Sequence, residues 1–291
     1  MDIATMKAFV AVAESGSFSR ASEQLFMTQP AVSKRVAALE DDLGVTLFDR
    51  LGRGIQLTEA GQKFLTSSRR ILADIQISRD EVLSLGADVG GRLRLATSHH
   101  VGIHRLPPVL KGFTQTYPDV ELDLLFMDSE LACDEVLSGH IELAVVTLPD
   151  QLENALLTEL VWPDPLSIVC APDHPLASKV MAGIEITAET LTSYNAVLPA
   201  RGTVTRTILL EALQPFNVSV ETSLETNYLE TIKMMVSVGL GWSALPSNMI
   251  DEGVIAVPVR GLEMQRRLGS VCLRGRTLSR AAKAFIGLLQ G

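Results

Sequence analysis

The sequence lacks any run of about 18 uncharged apolar residues, the length that a membrane-spanning helix requires. The acidic residue Asp2 follows Met1, and Lys7 and Glu14 lie further along the first helix-length segment. A secretory signal instead has a basic start that is followed by an uncharged apolar segment. We therefore predict a cytoplasmic protein with no membrane partner. Hydrophobic residues make up 47% of the chain and charged residues 20%, which is typical of folded domains and excludes a disordered chain.

Cysteine is scarce, since the chain has only Cys133, Cys170 and Cys272, and no two of them form a C-x-x-C pair. This spacing excludes a disulfide framework and argues against a structural zinc site. Cys170 and Cys272 lie in apolar, strand-like segments, and we interpret them as buried small hydrophobic residues. Cys133 leaves a redox-sensing role open.

The usual catalytic motifs are also missing, namely G-x-x-x-x-G-K-[ST], G-x-S-x-G and H-E-x-x-H. We interpret the adjacent His99 and His100 as polar loop residues rather than metal ligands. The chain is therefore predicted not to be an enzyme and to need no metal or cofactor, with a small-molecule effector as its ligand.

The chain has no excess of basic charge: its net charge is −9, although DNA-binding proteins are often basic. Residues 1–60 contain six basic and eight acidic side chains, but four of the six cations fall between positions 34 and 53. Phosphate contacts need a local basic patch rather than a basic protein. Net charge therefore does not exclude nucleic acid.

Helical periodicity predicts three short helices, at residues 3–14, at 18–25 and from 29 onward, with Thr28 as the cap of the third. Two helices joined by a short turn form a helix-turn-helix unit. Val32, Val36 and Leu39 would form the inner face of the third helix. Its outer face would carry Gln29, Ser33 and Lys34, which suit base edges and phosphates.

Residues 44–57 are typical of a strand, a glycine turn and a second strand, which would form a wing with Arg50 and Arg53 near its tip. The alternative is a small helical bundle with a solvated basic face. However, residues 21–61 closely resemble the LysR-type signature, as the segments TQPAVSK, LFDR and LTEAG stand in the family's order. The resemblance implies a winged helix-turn-helix DNA-binding domain at residues 1–58. Its DNA-binding residues would be Thr28, Gln29, Pro30, Ser33, Lys34, Arg50 and Arg53.

Residues 59–87 are predicted to be one long linker helix with two heptad rows in which five of the seven positions are apolar. The rows are Phe64, Ile71, Ser78 and Leu85, and Ser68, Ile75 and Val82. In LysR-type proteins such a helix pairs two DNA-binding domains, so the resemblance implies a dimer and a homotetramer. The alternative is a helix that packs on its own domain. Residues 88–91 contain two adjacent glycines and are predicted to be a hinge.

Strands and helices alternate from residue 92 onward, which predicts parallel sheets with helices on both faces. Strands are expected at 92–97, 120–126, 142–147, 166–171, 195–199 and 218–223, and helices at 101–117, 130–138, 204–213 and 227–238. The resemblance implies an α/β effector-binding domain, 92–291, with two lobes like those of periplasmic solute-binding proteins. Lobe one would comprise 92–161 and 266–291, and lobe two 162–265.

Ligands of α/β sheets bind at the carboxyl ends of strands, where helix N-termini favour anions. Candidate effector-binding residues there are Thr97, Ser98, His99, His100, Asp128, Thr147, Arg201, Thr203 and Trp242. They predict a small anionic effector, a carboxylate or an oxyanion. The run from Thr97 also resembles the sulfur-metabolism branch of the family, which implies a sulfur-containing anion, whereas Trp242 would suit an aromatic acid.

The predicted function is therefore a sequence-specific transcriptional regulator whose activity is modulated by an effector bound between two lobes. Its partners would be double-stranded promoter DNA, the effector, further copies of the chain and RNA polymerase. The alternatives are a redox-responsive regulator that uses Cys133, or a solute-binding protein.

Overall fold

The computed structural model describes residues 2–51, 54–83, 89–149 and 153–290. The amino-terminal domain contains helices α1 (Ile3–Ser15), α2 (Phe18–Gln24) and α3 (Gln29–Leu43), then strands β1 (Phe48–Leu51) and β2 (Gly54–Leu57). Strands β1 and β2 pair in antiparallel fashion, with Phe48 opposite Leu57. This arrangement confirms the predicted winged helix-turn-helix fold.

Local signals in the sequence explain where these helices begin and end. The Asp2 side chain accepts a hydrogen bond from the Thr5 amide at 2.7 Å and so caps α1. Gly16 ends α1 in the left-handed conformation (φ 64°), which glycine adopts without a steric penalty. The apolar faces meet in one core, where Phe9, Val32 and Leu39 are fully or almost fully buried.

Helix α4 (Glu59–Leu83) begins next to this core. The Phe64 ring packs against Phe9, with ring centroids 5.1 Å apart, and Leu65 is buried in the same cluster. Phe64, the first residue of a predicted heptad row, therefore packs within its own domain. Leu85 of that row lies outside the described residues, and pairing of two copies through α4 stays a prediction.

Lobe one is built from strands β3 (Gly91–Thr97), β4 (Val120–Phe126) and β5 (Leu143–Thr147). Strand β3 lies between β4 and β5 and is parallel to both, as the alternating pattern predicts. The helices of this lobe are α5 (His99–His104), α6 (Leu106–Thr116), α7 (Ser129–Leu137) and α12 (Arg280–Gln290).

The helix predicted at 101–117 is in fact two helices, α5 and α6, which meet at Arg105. Pro107 and Pro108 in the first turn of α6 have no backbone N–H and cannot donate to the carbonyl groups of α5. The break sets α5 apart as a short element that begins at the end of strand β3.

Lobe two contains helices α8 (Pro175–Met181), α9 (Ala188–Leu191), α10 (Val204–Leu213) and α11 (Leu229–Ser237). Its strands are β7 (Ala196–Leu198), β8 (Thr222–Glu225), β9 (Ser243–Pro246) and β10 (Ile255–Ala256). β7 and β8 are parallel. The strand predicted at 218–223 is thus shorter and lies further along the chain.

Two long strands connect the lobes, β6 (Leu156–Cys170) and β11 (Met264–Leu273). They are antiparallel, and their register runs from Leu156 opposite Leu273 to Leu166 opposite Met264. The strand order of the main sheet is β10-β6-β11-β5-β3-β4, and β9 also pairs with β6. The strands β3, β4 and β5 are parallel as predicted, whereas β6 pairs with β9, β10 and β11 in antiparallel fashion, because β6 and β11 cross between lobes instead of belonging to a strand–helix–strand unit.

The amino-terminal domain and α4 also contact lobe one. The His140 ring lies between carboxylates, with Nε2 3.3 Å from Glu14 of α1 and Nδ1 2.8 Å from Glu135 of α7. Arg276 lies 3.7 Å from Asp74 of α4. These contacts link the DNA-binding domain to the lobe that follows it. Among the described residues, no helix is both long enough and apolar enough to cross a membrane.

Candidate DNA and effector sites

The outer surface of α3 is formed by the polar residues that the sequence analysis selected. Thr28, Gln29, Pro30 and Lys34 are exposed and Ser33 is half-buried, whereas Val32 on the opposite face is buried. Thr28 occupies the cap position in an extended conformation, but its side chain makes no capping hydrogen bond. Its hydroxyl and the first turn of α3 can therefore serve a phosphate or a base edge.

The wing is fixed to the end of α3 by one carboxylate. Glu40 accepts hydrogen bonds from the amides of Leu47, at 2.6 Å, and Phe48, at 3.2 Å. This contact sets the position of β1 relative to α3, the recognition helix of the helix-turn-helix unit. Arg50 lies on β1, next to the hairpin turn, and Arg53 lies outside the described residues.

A polar cavity lies between the lobes, where β3, β4 and β5 end and where α10 begins. Its volume is about 50 Å³, which holds a few water molecules or a compact ion, and it is partly open to solvent. The residues that line it are Ser98, His99, His100, Asp128, Ser129, Glu130, Thr147, Pro199, Thr203, Val204, Thr205, Asn227, Leu229 and Arg266.

Two carboxylates of lobe one hold lobe two across this cavity. Glu130 Oε1 accepts a hydrogen bond from the Val204 amide in the first turn of α10, at 2.8 Å. Asn227 donates from Nδ2 to Asp128 Oδ2, also at 2.8 Å. In this arrangement, the chain's own carboxylates occupy two donors that an anionic ligand could use.

Arg266, which lines the cavity, belongs to a buried charge network with Asp164 on the other crossing strand and Arg105 between α5 and α6. Arg266 donates to Asp164 Oδ2 from Nε at 3.0 Å and from Nη2 at 2.5 Å, and Arg105 Nη2 donates to Oδ1 at 2.9 Å. Burial alone would raise the pKa of the Asp164 carboxyl, but His100 and the two guanidinium groups hold it well below its ordinary value. Arg266 also donates from Nη1 to the Thr205 hydroxyl. The charge of Arg266 is thus already neutralised.

Six of the nine predicted effector-binding residues line this cavity: Ser98, His99, His100, Asp128, Thr147 and Thr203. Thr97 does not, because it is fully buried and donates to the Val145 carbonyl at 2.8 Å. Trp242 is fully buried in the core of lobe two, where Nε1 donates to the carbonyls of Leu191 and Tyr194. Arg201 has an 87% exposed side chain that lies 4.0 Å from Glu225.

Sequence reasoning missed several residues of the cavity. Ser129 and Glu130 follow Asp128 directly, so the strand-end rule that selected Asp128 could have included them. Asn227 and Thr205 lie near the N-termini of α11 and α10, which is a weaker form of the same signal. Arg266 lies within a crossing strand, and its position beside the cavity depends on pairing with a strand about 100 residues earlier.

One group of side chains next to the cavity has the chemistry of metal ligands. His100, His104 and Glu230 offer ligand atoms that all lie within 4.8 Å of one another. His99 and His100 are adjacent in sequence, but the helical spacing of α5 instead brings His104 next to His100, with ring centroids 4.8 Å apart. Burial lowers the pKa of the His100 ring below its ordinary value and so favours the neutral imidazole, the form that binds a metal.

The Cys133 thiol lies on α7 and is 6% exposed. Burial, together with Glu130 and Asp134, raises the pKa of this thiol to about 11. A redox-sensing cysteine needs an accessible thiolate, and Cys133 has neither property. Cys170 and Cys272 are buried and free, in agreement with the sequence-based interpretation.

Comparison with known proteins places these features in one family. Residues 3–62 match the model for the bacterial regulatory helix-turn-helix protein of the lysR family, and residues 86–291 match the LysR substrate binding domain. The RuBisCO operon transcriptional regulator of Allochromatium vinosum is 29% identical over 285 residues, which cover 96% of this chain and 92% of that protein.

Two solved structures share the whole fold. A variant of full-length OxyR from Pseudomonas aeruginosa has a TM-score of 0.76 and 24% identity, over 100% of this chain and 95% of that chain. CbnR in complex with its target DNA has a TM-score of 0.66 and 19% identity, over 100% and 99%. Since the two family models follow each other along the chain as the two domains do, this protein belongs to the LysR family of DNA-binding transcriptional regulators with an effector-binding domain.

Proposed function

We propose that this regulator binds a small anion, a carboxylate or an oxyanion, in the cavity between its lobes. The proposal rests on the hydrogen bond that the backbone N–H of Val204, at the N-terminus of α10, donates to the Glu130 carboxylate. A helix N-terminus with a free amide favours negative charge, and the chain places one of its own carboxylates there. An anionic effector would take the position of this carboxylate.

Neutral donors around this position support the proposal. Ser98 Oγ is buried and has no hydrogen-bond partner among the described residues. Thr205, next to Val204, also lines the cavity, and its hydroxyl accepts from Arg266 and keeps its own hydrogen for a ligand, whereas the Thr203 hydroxyl already donates to the Ala200 carbonyl. An oxyanion at this point could accept hydrogen bonds from both lobes. Ser98 would then gain the partner that a buried hydroxyl needs.

The mechanism follows from the contact between the lobes at this cavity. The effector enters as the lobes separate, and it then replaces the Glu130–Val204 bond with bonds of its own. Its differential affinity for the open and closed arrangements shifts the population between them. Because α1 and α4 contact lobe one through His140 and Arg276, the shift can reach the DNA-binding domains.

In this proposal, two copies pair through α4, and two pairs form a tetramer that presents its recognition helices to promoter DNA. The effector changes the spacing of these helices and the bend of the DNA. DNase footprinting and a gel-based bend assay test this step. Effector that binds the protein but leaves both footprint and bend angle unchanged would contradict it.

The ligand class is tested on the full-length chain with Glu130→Gln and, as a control, Arg201→Gln, which removes a cation outside the cavity. Thermal unfolding is followed with sulfate, thiosulfate, acetylserine, and aliphatic and aromatic carboxylates at matched ionic strength. A ligand that binds the folded state raises the melting temperature with concentration.

We expect Glu130→Gln to bind the anion that stabilises the unaltered protein about tenfold more tightly. The neutral glutamine side chain competes with the anion for the backbone N–H of Val204 less well than the glutamate carboxylate does. Arg201→Gln should bind it like the unaltered protein. If no anion shifts the melting temperature of either the unaltered protein or Glu130→Gln, the anionic effector is wrong, while the DNA-binding function is unaffected.

A further inference from the structure

Beside the effector cavity, three metal-ligating side chains from both lobes come together. His100 and His104 are four residues apart and therefore lie on one face of α5, with ring centroids 4.8 Å apart. Glu230 comes from α11 in lobe two, and its Oε1 lies 2.9 Å from His104 Nε2. The ligand atoms of all three residues lie within 4.8 Å of one another.

The His100 ring lacks the partners that a buried imidazole needs. Its side chain is 5% exposed, and neither Nδ1 nor Nε2 has a hydrogen-bond partner among the described residues. A buried polar group without a partner is destabilising and is rare in native proteins. A ligand at this ring would remove that penalty. The neighbouring His104 and Glu230 restrict what the ligand can be, since both favour a cation.

We propose that His100, His104 and Glu230 bind one divalent transition-metal ion of the zinc type, which connects lobe one to lobe two. Two imidazoles and one carboxylate suit Zn²⁺, Co²⁺ and Ni²⁺, whereas Mg²⁺ and Ca²⁺ prefer oxygen ligands throughout. Three protein ligands leave a fourth position for water. Zn²⁺–ligand distances are about 2.0–2.2 Å, which place two ligand atoms of a tetrahedral ion about 3.4 Å apart. Atoms separated by up to 4.8 Å therefore need to approach by at most about 1.4 Å, and the His104–Glu230 pair, at 2.9 Å, needs to separate slightly.

Asp164 would support this site from outside. Its Oδ2 lies 3.9 Å from His100 Nε2, so a shift of about 1 Å would let the carboxylate accept the N–H of the ring while Nδ1 binds the metal. Such a carboxylate behind a histidine ligand fixes the orientation of the ring and makes it a better ligand. Because Asp164 already binds Arg105 and Arg266, it acts as a supporting partner rather than as a fourth ligand.

A metal at this position would favour the closed arrangement of the lobes. It joins α5, which begins at the effector cavity, to α11, which carries Glu230 on the other side of the cleft. Metal and effector would then influence each other's affinity through the same closure. Binding of the metal itself does not depend on the identity of the effector, so the two proposals can fail separately.

The test uses the full chain without an affinity tag, after treatment with EDTA. Zn²⁺ affinity is measured by competition with a chromophoric chelator, and ligation is followed by the visible spectrum of Co²⁺. His104→Gln and Glu230→Gln remove one ligand each from partly exposed positions. His140→Gln is the control, because His140 also lies between two carboxylates but outside the cluster.

We expect one Zn²⁺ per chain in the unaltered protein and in His140→Gln. The affinity of His104→Gln and of Glu230→Gln should fall at least as far as the roughly 10–100-fold caused by losing a supporting partner. Zn²⁺ should raise the melting temperature of the unaltered protein but not of these two variants. Equal melting temperatures in EDTA show that the variants fold.

Three results would overturn the proposal. These are the absence of Zn²⁺ binding to the unaltered chain, equal affinities in all four proteins, and Mg²⁺ binding as tight as Zn²⁺ binding. If either ligand variant fails to fold, the Co²⁺ spectrum of the unaltered protein decides. Absorption typical of tetrahedral nitrogen and oxygen ligation supports the site, and the spectrum of hydrated Co²⁺ refutes it.

Discussion

Replacing Asp164 by asparagine is expected to destabilise the effector-binding domain by about 3–5 kcal/mol, the cost of breaking a buried ion pair on one side. Asp164 is 1% exposed and accepts three hydrogen bonds from two guanidinium groups. The asparagine side chain would keep the volume but offer no charge to Arg266, whose side chain is 3% exposed. The guanidinium would then be buried with little compensation beyond the Thr205 hydroxyl.

The matched control is Asp123→Asn. Asp123 also contacts two arginines, Arg92 at 2.7 Å and Arg94 at 3.1 Å, but these side chains are 57% and 46% exposed. Solvent screens such pairs, so the control should lose less than about 1 kcal/mol. Urea unfolding of the full chain, followed by the fluorescence of Trp162 and Trp242, measures both. If Asp164→Asn and Asp123→Asn lose the same free energy of unfolding, burial does not strengthen the Asp164 ion pairs.

The same carboxylate predicts part of the dependence of stability on pH. The pKa of Asp164 in the folded state lies below its ordinary value of 3.8, so the folded state binds fewer protons there than the unfolded state. Its contribution to stability is therefore complete above about pH 5 and declines as the pH falls. Asp164→Asn should weaken this dependence of stability on acid pH; equal dependences in the variant and the unaltered protein would contradict the assignment.

Further predictions concern the DNA-binding surface, the crossing strands and the thiol. Gln29→Ala and Ser33→Ala should each reduce the preference for operator over random DNA by about 1–3 kcal/mol, whereas exposed Lys63→Ala should not; preserved selectivity would place the base contacts elsewhere. Gly269→Ala should destabilise the domain in urea by more than about 2 kcal/mol, on the order of an overpacked core, because a methyl group would overlap the Glu159 carbonyl. Gly112→Ala, with open space around it, should be neutral or stabilising by up to about 1 kcal/mol. Cys133→Ser should leave any response of DNA binding to peroxide unchanged, and a lost response would restore the redox alternative.

The sequence predicts the amino-terminal domain well because its signals are local. The spacing of Val32, Val36 and Leu39 defines the inner face of α3, and Thr28 stands at its start. Each of these signals lies within one or two helical turns. The family signature covers the same residues, so pattern and resemblance agree there.

The effector cavity is predicted only in part, because its signals are of two kinds. Residues at strand ends, such as Ser98 and Asp128, follow from the alternation of strands and helices. Arg266 depends on the pairing of β11 with β6, which no local pattern shows. The predictions for Trp242 and Arg201 are wrong because they rested on residue type alone. A tryptophan that could bind a ligand can equally lie in the core, and an arginine that could bind a ligand can equally lie in solvent.

The crossing of β6 and β11 also affects how the protein folds as it is synthesised. Lobe one begins first, but β11 lies between β6 and β5, and Phe285 of α12 belongs to its core. Both elements follow all the strands and helices of lobe two along the chain. Domains usually fold in the order of synthesis, but here nearly all of lobe two, apart from Met264 of β11, is synthesised while lobe one still lacks β11 and α12. A chain that stops before residue 264 would therefore lose a larger part of the core of lobe one than of lobe two.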